Sequence, residues 1–290
     1  MAVYSEAGLQ TGWEPDTPVD DTLLRRYLLN LAESHAAPGR ALGGRTLRRD
    51  DLAATDLGRP TGFMLNTVVL LRPLDDAGSQ EALDELDAFY AAGGGTGTVA
   101  LVSAWPTPDL RSRGWQLAGH PPLLLRPPAG PVDTTGPQRL SIVEVDGPER
   151  LEHWCRVTVD GYPFDELQPY QPGSLLDERV LGDHRLRLWV GYEGDTPVCT
   201  GALFVEHGLG QLWLATTLPG VRGRGYYRAM AARRIAAAGD VPLAAVFSDL
   251  SRPAAERQLG FLPLMRFTLW VRPRPAGAER DDDDARGDPS

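Results

Sequence analysis

The sequence contains no lysine: all 29 of its basic residues are arginine. Exclusive use of arginine, together with 32 glycines and 25 prolines, is typical of a GC-rich bacterial genome. Acidic residues number 39, and the formal net charge is −10. Because nucleic-acid phosphates require a basic protein face, this charge argues against a nucleic-acid partner.

Long apolar runs and a leader segment are also missing. No run approaches the roughly 18 apolar residues that suggest a membrane span. The first residues of the chain do not place an apolar segment after a basic one, as a signal peptide does. We therefore expect a cytoplasmic protein without a membrane partner.

Cysteine and histidine are scarce. The two cysteines, Cys155 and Cys199, are too far apart for a metal-ligand motif and too few for a disulfide framework. The five histidines form no HxH or HxxxH pair. We therefore expect reduced thiols and no bound metal.

The two halves of the chain repeat each other at a constant offset. Positions 146 residues apart match at Pro73 and Pro219, at Gly114-Trp115 and Gly260-Phe261, and at Arg126-Pro127 and Arg272-Pro273. One shared offset favours a duplicated fold. The alternative is two unrelated α/β domains with common turn residues.

A stretch rich in proline and glycine, residues 129–138, separates the halves and predicts a linker. We therefore predict two tandem domains of similar fold, at 1–128 and 139–274. The remaining residues, 275–290, are acidic and lack aromatic side chains, which predicts a disordered tail.

Hydrophobic patterns in the C-terminal half predict an α/β (α+β) fold. Strands are predicted at 140–145, 186–192, 198–206, 211–218, 243–247 and 267–271, and helices at 148–160, 225–238 and 252–259. Antiparallel strands followed by strand–helix–strand predict a mixed, mainly antiparallel sheet flanked by helices.

The segment Arg222-Gly223-Arg224-Gly225 precedes a predicted helix and carries the chemical signal. A helix N-terminus presents unpaired N–H groups and about half a positive charge. The glycines let backbone amides approach phosphate oxygens, and the arginines add donors. The segment is neither a P-loop nor a dinucleotide-binding fingerprint. The alternative is a tight turn with two solvated arginines.

Two segments give the region from about 140 to 274 a resemblance to the GNAT superfamily of acyl-CoA N-acyltransferases. Residues 215–227 resemble that family's strand, Thr-x-Pro step and Arg/Gln-x-x-Gly-x-Gly/Ala loop. Residues 247–261 resemble its later strand, short helix and final Gly-Phe. The resemblance implies acetyl-CoA as co-substrate, a small amine as acceptor, and direct attack without a covalent enzyme intermediate.

The resemblance also implies which residues bind acetyl-CoA. Amides from Val221 to Tyr226 would hold the pyrophosphate, and the strand edge at 216–218 would pair with the pantetheine arm. The Leu218 N–H would polarise the acetyl carbonyl. The full expected set is Thr216, Thr217, Leu218, Val221, Arg222, Gly223, Arg224, Gly225, Tyr226, Tyr227 and Ser251.

Two positions depart from the family pattern. Tyr227 replaces a small residue, and we expect its ring to point outward. Glu256 replaces the tyrosine that protonates the leaving thiolate, and a carboxylate does this poorly unless burial raises its pKa. The other catalytic candidates are Asp249, with a helix cap as the alternative, and Tyr226, with core packing as the alternative.

The loop at 160–170 lies where the resemblance places the acceptor. Its Tyr162, Asp165 and Glu166 suit a cationic amine, and the alternative is a solvated loop with buried rings. In the N-terminal half, Asp75 and Asp76 replace the two arginines, so we expect no CoA binding there.

The leading hypothesis is therefore an acetyl-CoA-dependent N-acyltransferase with a degenerate, structural N-terminal half. The alternative is a catalytically weak or inactive acyl-CoA-binding module. We expect a monomer, in which the halves form a pseudo-dimer, or a homodimer.

Overall fold

The computed structural model describes residues 22–62, 64–74, 78–128, 132–162, 164–248 and 251–274. The N-terminal half forms α1 (Leu23–Ala41), β1 (Arg45–Arg48), β2 (Leu52–Asp56), β3 (Thr67–Leu70), α2 (Gly78–Ala92), β4 (Val99–Ser103), β5 (Gln116–Gly119) and β6 (Pro122–Arg126). The C-terminal half forms β7 (Leu140–Glu144), α3 (Pro148–Gly161), β8 (Leu186–Glu193), β9 (Thr196–Glu206), β10 (Leu209–Thr217), α4 (Tyr226–Ala238), β11 (Leu243–Val246), α5 (Arg252–Gln258), β12 (Leu262–Arg266) and β13 (Thr268–Arg272). Within the described ranges, no helix has the length and apolar character of a membrane span.

Local sequence signals set the helix ends in the C-terminal half. Pro148 occupies the first turn of α3, where its missing N–H has no intrahelical acceptor to lose. Gly225, with a φ of 83°, precedes α4, and Gly239, with a φ of 69°, follows it. The three helices predicted there are confirmed to within one residue at each end.

The strands form two mixed sheets. The first has the order β1-β2-β3-β4-β13-β5, and the second has the order β12-β6-β11-β10-β9-β8-β7. The only parallel pairs among the described strands are β3 with β4 and β10 with β11. The predicted fold class, two mixed and mainly antiparallel sheets with flanking helices, is therefore confirmed.

The halves exchange their last strands. Strand β6 of the N-terminal half lies between β11 and β12 of the second sheet. Strand β13 of the C-terminal half lies between β4 and β5 of the first sheet. The sequence division at 129–138 therefore does not separate the sheets: each is completed by a strand from the other side of that division.

Helix α1, which the sequence reading did not predict, lies between the two sheets. Its residues Tyr27 and Leu31 share one buried cluster with Val69 of the first sheet and with Leu209 and Ala244 of the second. Helix α2 packs on the other face of the first sheet. On the second sheet, α3 and α4 pack on opposite faces.

The described part of the predicted linker, 132–138, lies against the start of α4. The Arg228 guanidinium donates to the Thr135 carbonyl at 2.9 Å, and a Cβ on Gly225 would lie 3.6 Å from Pro137. The linker therefore packs beside the glycine-containing turn that precedes α4. The predicted tail at 275–290 and the Asp75-Asp76 pair lie outside the described residues.

Candidate functional site

Strands β10 and β11 run parallel and separate soon after they meet. They pair through Gly210 with Leu243 and through Gln211 with Ala244. Strand β10 continues to Thr217 without further pairing to β11. A cleft therefore opens between the two strands, with its apex next to Gln211.

A bulge interrupts β10 where this cleft begins. The register with β9 shifts between Trp213 and Thr216, and Leu214 has a φ of 41°, which is unusual for leucine. A bulge bends its strand and leaves backbone groups without their ladder partners. At this bulge the carbonyls of Trp213 and Ala215 accept hydrogen bonds from the side chains of Arg234 and Tyr162.

Beyond β10, the chain turns through Pro219–Val221 into the glycine-containing segment that precedes α4. Gly223 and Gly225 have φ values of 79° and 83°, in the left-handed region. Within the described chain, the amides of 223–226 have no protein acceptor. Neighbouring N–H groups in such a turn form an anion-binding nest, and the dipole of α4 adds to it.

Three amides assigned to acetyl-CoA already have protein acceptors. The Leu218 N–H donates to the Val198 carbonyl at 3.0 Å. The amides of Val221 and Arg222 close the helical turn, at 3.1 and 3.4 Å. The prediction that the Leu218 N–H polarises an acyl carbonyl is therefore wrong, because β9 holds that group in the sheet. Of the amides that the resemblance assigned to the pyrophosphate, those of residues 223–226 remain without a protein acceptor in the described chain.

The two arginines of the turn have different roles. Arg222 donates through Nε to the Thr217 carbonyl at 3.0 Å and through Nη2 to the Gly161 carbonyl at 3.1 Å. It therefore braces the turn against β10 and α3. Arg224 is 49% exposed and pairs with Glu193 at 3.0 Å. An incoming phosphate can replace that carboxylate, so Arg224 is the arginine available to a ligand.

Tyr227 packs inward, and the prediction that its ring points to solvent is wrong. The ring contacts the apolar cluster on the α4 face of the second sheet, which includes Phe247 and Phe261. Burial raises the pKa of its hydroxyl. The first turn of α4 partly buries this side chain against the apolar cluster, where it loses apolar surface to solvent.

Two observations fit a ligand such as acetyl-CoA at this cleft. The Thr217 hydroxyl is buried and has no hydrogen-bond partner within the described structure, which is costly unless a ligand satisfies it. A Cβ built on Gly223 meets nothing within 4 Å. The space above the nest is therefore open. The residues present fit a diphosphate at the turn and a polar chain along β10.

Two further donor-site candidates make contacts within the protein. The Ser251 hydroxyl lies 3.0 Å from the Ser248 hydroxyl, within its own loop. The Thr216 side chain packs against Gly161, where an added Cβ would come within 2.6 Å of its methyl carbon. Contact of either residue with acetyl-CoA stays a prediction.

The catalytic candidates do not converge on one point. Glu256 pairs with Arg252 at 2.7 Å along α5, so its carboxylate is engaged by a neighbour on the same helix. The Tyr226 hydroxyl donates to Glu193 at 2.8 Å, while its ring packs in the core. Asp249 lies outside the described residues.

Of the acceptor candidates, Tyr162 comes closest to the cleft. Its hydroxyl donates to the Ala215 carbonyl at 2.8 Å, within the bulge of β10. Its ring stacks on Phe164, with 5.0 Å between the centroids. Asp165 is exposed and begins a short helical turn. Both stay predictions as acceptor-binding residues.

Glu166 holds the two halves together. One carboxylate oxygen accepts the N–H groups of Thr61 and Gly62 at 3.3 and 2.7 Å. The other accepts the Thr98 N–H at 3.0 Å. The expectation that Glu166 faces an amine is therefore wrong, because three backbone donors of the N-terminal half already occupy it.

The sequence reading missed two residues at the site, Glu193 and Arg234. Glu193 ends β8 and binds both Arg224 and Tyr226, but it lies 31 residues from Arg224, and no motif links them. Arg234 is 1% exposed. The sequence offered one signal for Arg234, because it is a charged residue in the alanine-rich segment 229–238. Charges on a helix normally lie on a polar, exposed face.

Comparisons with known proteins bear on the fold. No family model matches the chain, and no curated protein matches it. Among solved structures, a GCN5-related N-acetyltransferase from Kribbella flavida superimposes with a TM-score of 0.61 at 20% identity, over 84% of this chain and 96% of that one.

Two other solved structures agree with this result. A protein assigned to the GNAT acetyltransferases from Novosphingobium aromaticivorans has a TM-score of 0.54 at 16% identity, over 86% of this chain and 99% of that one. A conserved Staphylococcus epidermidis protein of unknown function has a TM-score of 0.55 at 14% identity, over 81% and 96%. The chain therefore has the fold of the GCN5-related N-acetyltransferases, as the sequence resemblance predicted.

Proposed function

We propose that this protein is an acyl-CoA-dependent N-acyltransferase that moves an acetyl group from acetyl-CoA to a small amine. The observation that carries this proposal is the nest of unpaired amides at 223–226, at the N-terminus of α4 and beside the cleft of β10 and β11. A diphosphate suits the nest, and an extended thiol-bearing arm suits a strand edge that has lost its neighbour.

The proposed reaction is a direct transfer. The nitrogen lone pair of the amine forms a bond to the thioester carbonyl carbon, and the carbon–sulfur bond breaks with its electron pair on sulfur. Nitrogen loses one proton and sulfur gains one, so the products are an amide and a free thiol. The chain itself binds the diphosphate at 223–226 and shapes the cleft through the Tyr162 contact with Ala215.

The groups that move the protons remain proposals. Asp249, which follows the last residue of β11 by three positions in the sequence, is the proposed base. Tyr226 is the proposed acid, although its hydroxyl donates a hydrogen bond to Glu193 in this structure. Glu256 fits poorly as an acid, because its carboxylate already accepts a hydrogen bond from the Arg252 guanidinium.

An acyl-CoA-binding module without turnover is the second candidate. Two observations favour it: the ion pair at Glu256 and the use of the Leu218 N–H by β9. Both remove groups that the resemblance assigned to chemistry, and neither affects the nest. Binding without thiol release in the presence of amines is the result that selects this candidate.

Calorimetric titration of acetyl-CoA into three proteins tests the donor site. The proteins are the wild type, Arg224→Glu, and Arg233→Glu as the control with the same charge change on the exposed face of α4. We expect Arg224→Glu to weaken binding by about tenfold, or 1.4 kcal/mol, and Arg233→Glu to bind like the wild type. Equal affinities for all three, or no binding by the wild type, reject the proposed site.

Thiol release from acetyl-CoA then tests the reaction. Small primary amines of different charge are added to the wild type, and the free thiol is measured. Amine-dependent release together with recovery of the acetylated amine supports acyl transfer. Release without an acetylated amine indicates hydrolysis and contradicts the proposed acceptor class.

A further inference from the structure

Arg234 is a buried guanidinium without a carboxylate partner. It lies on α4, is 1% exposed, and forms no ion pair within the described chain. Arg274, whose side chain is 10% exposed, pairs with Asp56 at 2.9 Å. Burial lowers the pKa of the Arg234 guanidinium from its ordinary value. Interior charges are normally paired, so an unpaired one calls for an explanation.

The guanidinium occupies the bulge of β10. Its Nη1 donates to the carbonyls of Ala202 and Trp213 at 3.1 and 3.4 Å. These two residues form the last aligned pair of β9 and β10 before the register shifts. A Cβ on Gly201 would lie 2.8 Å from Nε, so this glycine leaves space for the arginine. Arg234 therefore replaces the ladder bonds that the bulge removes.

The Nη2 group of this guanidinium makes no hydrogen bond among the residues that the structure describes. Its Nε donates to the Met230 carbonyl at 3.3 Å, and Nη1 serves the two bulge carbonyls. In the described part of the chain, Nη2 has no acceptor. Arginine has five N–H donors in a planar fork, so two of them point away from the bonds already made.

The residues that the Arg234 guanidinium contacts lie near the cleft between β10 and β11. Trp213 lies two residues beyond Gln211, where β10 last pairs with β11. Arg234 interacts electrostatically with Tyr162 and Tyr227, which lie on opposite faces of the sheet. The guanidinium therefore lies at the level where the two strands part.

Attack on a thioester places negative charge on the carbonyl oxygen. A fixed donor in a site of low dielectric stabilises that charge more than water does. The Leu218 N–H is unavailable for this task, because it is bonded to Val198. A cation that lacks a counter-ion gains the most from a developing negative charge.

We propose that Nη2 of Arg234 donates a hydrogen bond to the carbonyl oxygen of the bound thioester and stabilises the charge that develops there. This assignment rests on the proposed function. It adds a catalytic residue that contacts the reacting atoms. The same side chain holds the bulge through Nη1, so one guanidinium both shapes the cleft and polarises its ligand.

Isotope-edited infrared spectroscopy of acetyl-CoA labelled with ¹³C at the carbonyl carbon tests this proposal without an acceptor. We expect the carbonyl band to shift to lower frequency when the wild type binds the labelled compound, because a charged donor weakens the carbon–oxygen double bond. In Arg234→Gln we expect loss of this shift, with a Kd within about threefold of the wild type. Arg233→Gln, the exposed neighbour on α4, is the control and is expected to retain the shift.

The outcomes separate this proposal from the proposed function. Binding by the wild type without a shift, or a shift that persists in Arg234→Gln, overturns the role of Arg234 and leaves the donor site intact. No binding by the wild type rejects both. If Arg234→Gln does not fold, Arg234→Lys is measured instead. A lysine ammonium reaches the oxygen differently and is expected to change the band position, so a band identical to that of the wild type overturns the proposal.

Discussion

The guanidinium of Arg126 donates through Nε to the carbonyl of Leu259 at 2.8 Å, across 133 residues of sequence. Arg126 ends β6 in the N-terminal half, and Leu259 follows α5 in the C-terminal half. The matching residue Arg272, which ends β13, lies over the Trp115 ring at 4.5 Å. The repeated Arg-Pro positions therefore mark the two exchanged strands.

This exchange predicts that neither half folds alone. A fragment ending at residue 138 lacks β13, and a fragment starting at 139 lacks β6, which pairs with two strands of its sheet. Each loss leaves unpaired backbone inside a sheet, where buried polar groups must be satisfied. We expect disordered amide spectra for each separate fragment, and a folded spectrum when both are expressed together. A separate 139–274 fragment with dispersed amide resonances would contradict this prediction.

Glu166→Gln is expected to loosen the contact between the halves. The carboxylate accepts three backbone N–H groups, and an amide must place its own donor against one of them. A mismatched buried donor costs about 1–3 kcal/mol. Urea unfolding of the variant measures this loss. Glu178→Gln, an exposed substitution in the same loop region, is expected to have the stability of the wild type.

Glu193→Gln is expected to tighten the binding of acetyl-CoA. The Glu193 carboxylate neutralises Arg224 at 3.0 Å, and it repels a phosphate placed beside that arginine. Removal of its charge is expected to lower the Kd about two- to fivefold, which corresponds to the free energy that a partly exposed ion pair contributes. Calorimetry at low salt measures the effect. Asp195→Asn, two residues along the chain, controls for the change in net charge, and an equal gain there would argue against a local effect.

Gly223→Ala is expected to weaken both the turn and the affinity for acetyl-CoA. At a φ of 79° an alanine costs about 1 kcal/mol, although its Cβ meets no atom within 4 Å. The strain rotates the amides of the nest away from their positions. Gly220→Ala is the matched control, because its Cβ is equally free and its φ is ordinary. Equal Kd values for the two variants would remove the nest from the donor site.

Stability is expected to fall on acidification because of His35. Its side chain is 6% exposed, and Nδ1 contacts the Met64 carbonyl. Burial lowers its pKa from 6.5 to about 4. Between these two values the unfolded chain is protonated at His35 and the folded chain is not. Lowering the pH through this window therefore lowers the free energy of unfolding, by about 3 kcal/mol over the whole window.

His35→Asn removes this pH dependence in part. Asparagine keeps a donor near the Nδ1 position for the Met64 carbonyl, but it does not titrate. Denaturant unfolding between pH 7 and pH 4 is expected to show a smaller loss of stability for His35→Asn than for the wild type. His184→Asn, at an exposed position, is expected to follow the wild type. If the free energy of unfolding falls equally with pH in all three proteins, groups other than His35 cause the acid sensitivity.

The sequence alone determined the local elements and the turn. Proline and glycine signals at Pro148, Gly225 and Gly239 set the helix ends, because backbone geometry at these residues is local. Glycine at positions 223 and 225 also permits the left-handed conformations found there. The mixed fold was predictable for the same reason, since hydrophobic periodicity depends on near neighbours along the chain.

Only the tertiary structure decided which groups meet. The position of β6 and β13 in the opposite sheets depends on pairing between strands more than 100 residues apart, and alternation of apolar residues gives no partner. The inward Tyr227, the carboxylate of Glu193 at Arg224 and the use of the Leu218 N–H by β9 arise from packing of the second sheet. The unpaired charge of Arg234 has the same origin: it exists because a bulge and a glycine on neighbouring strands leave space for it.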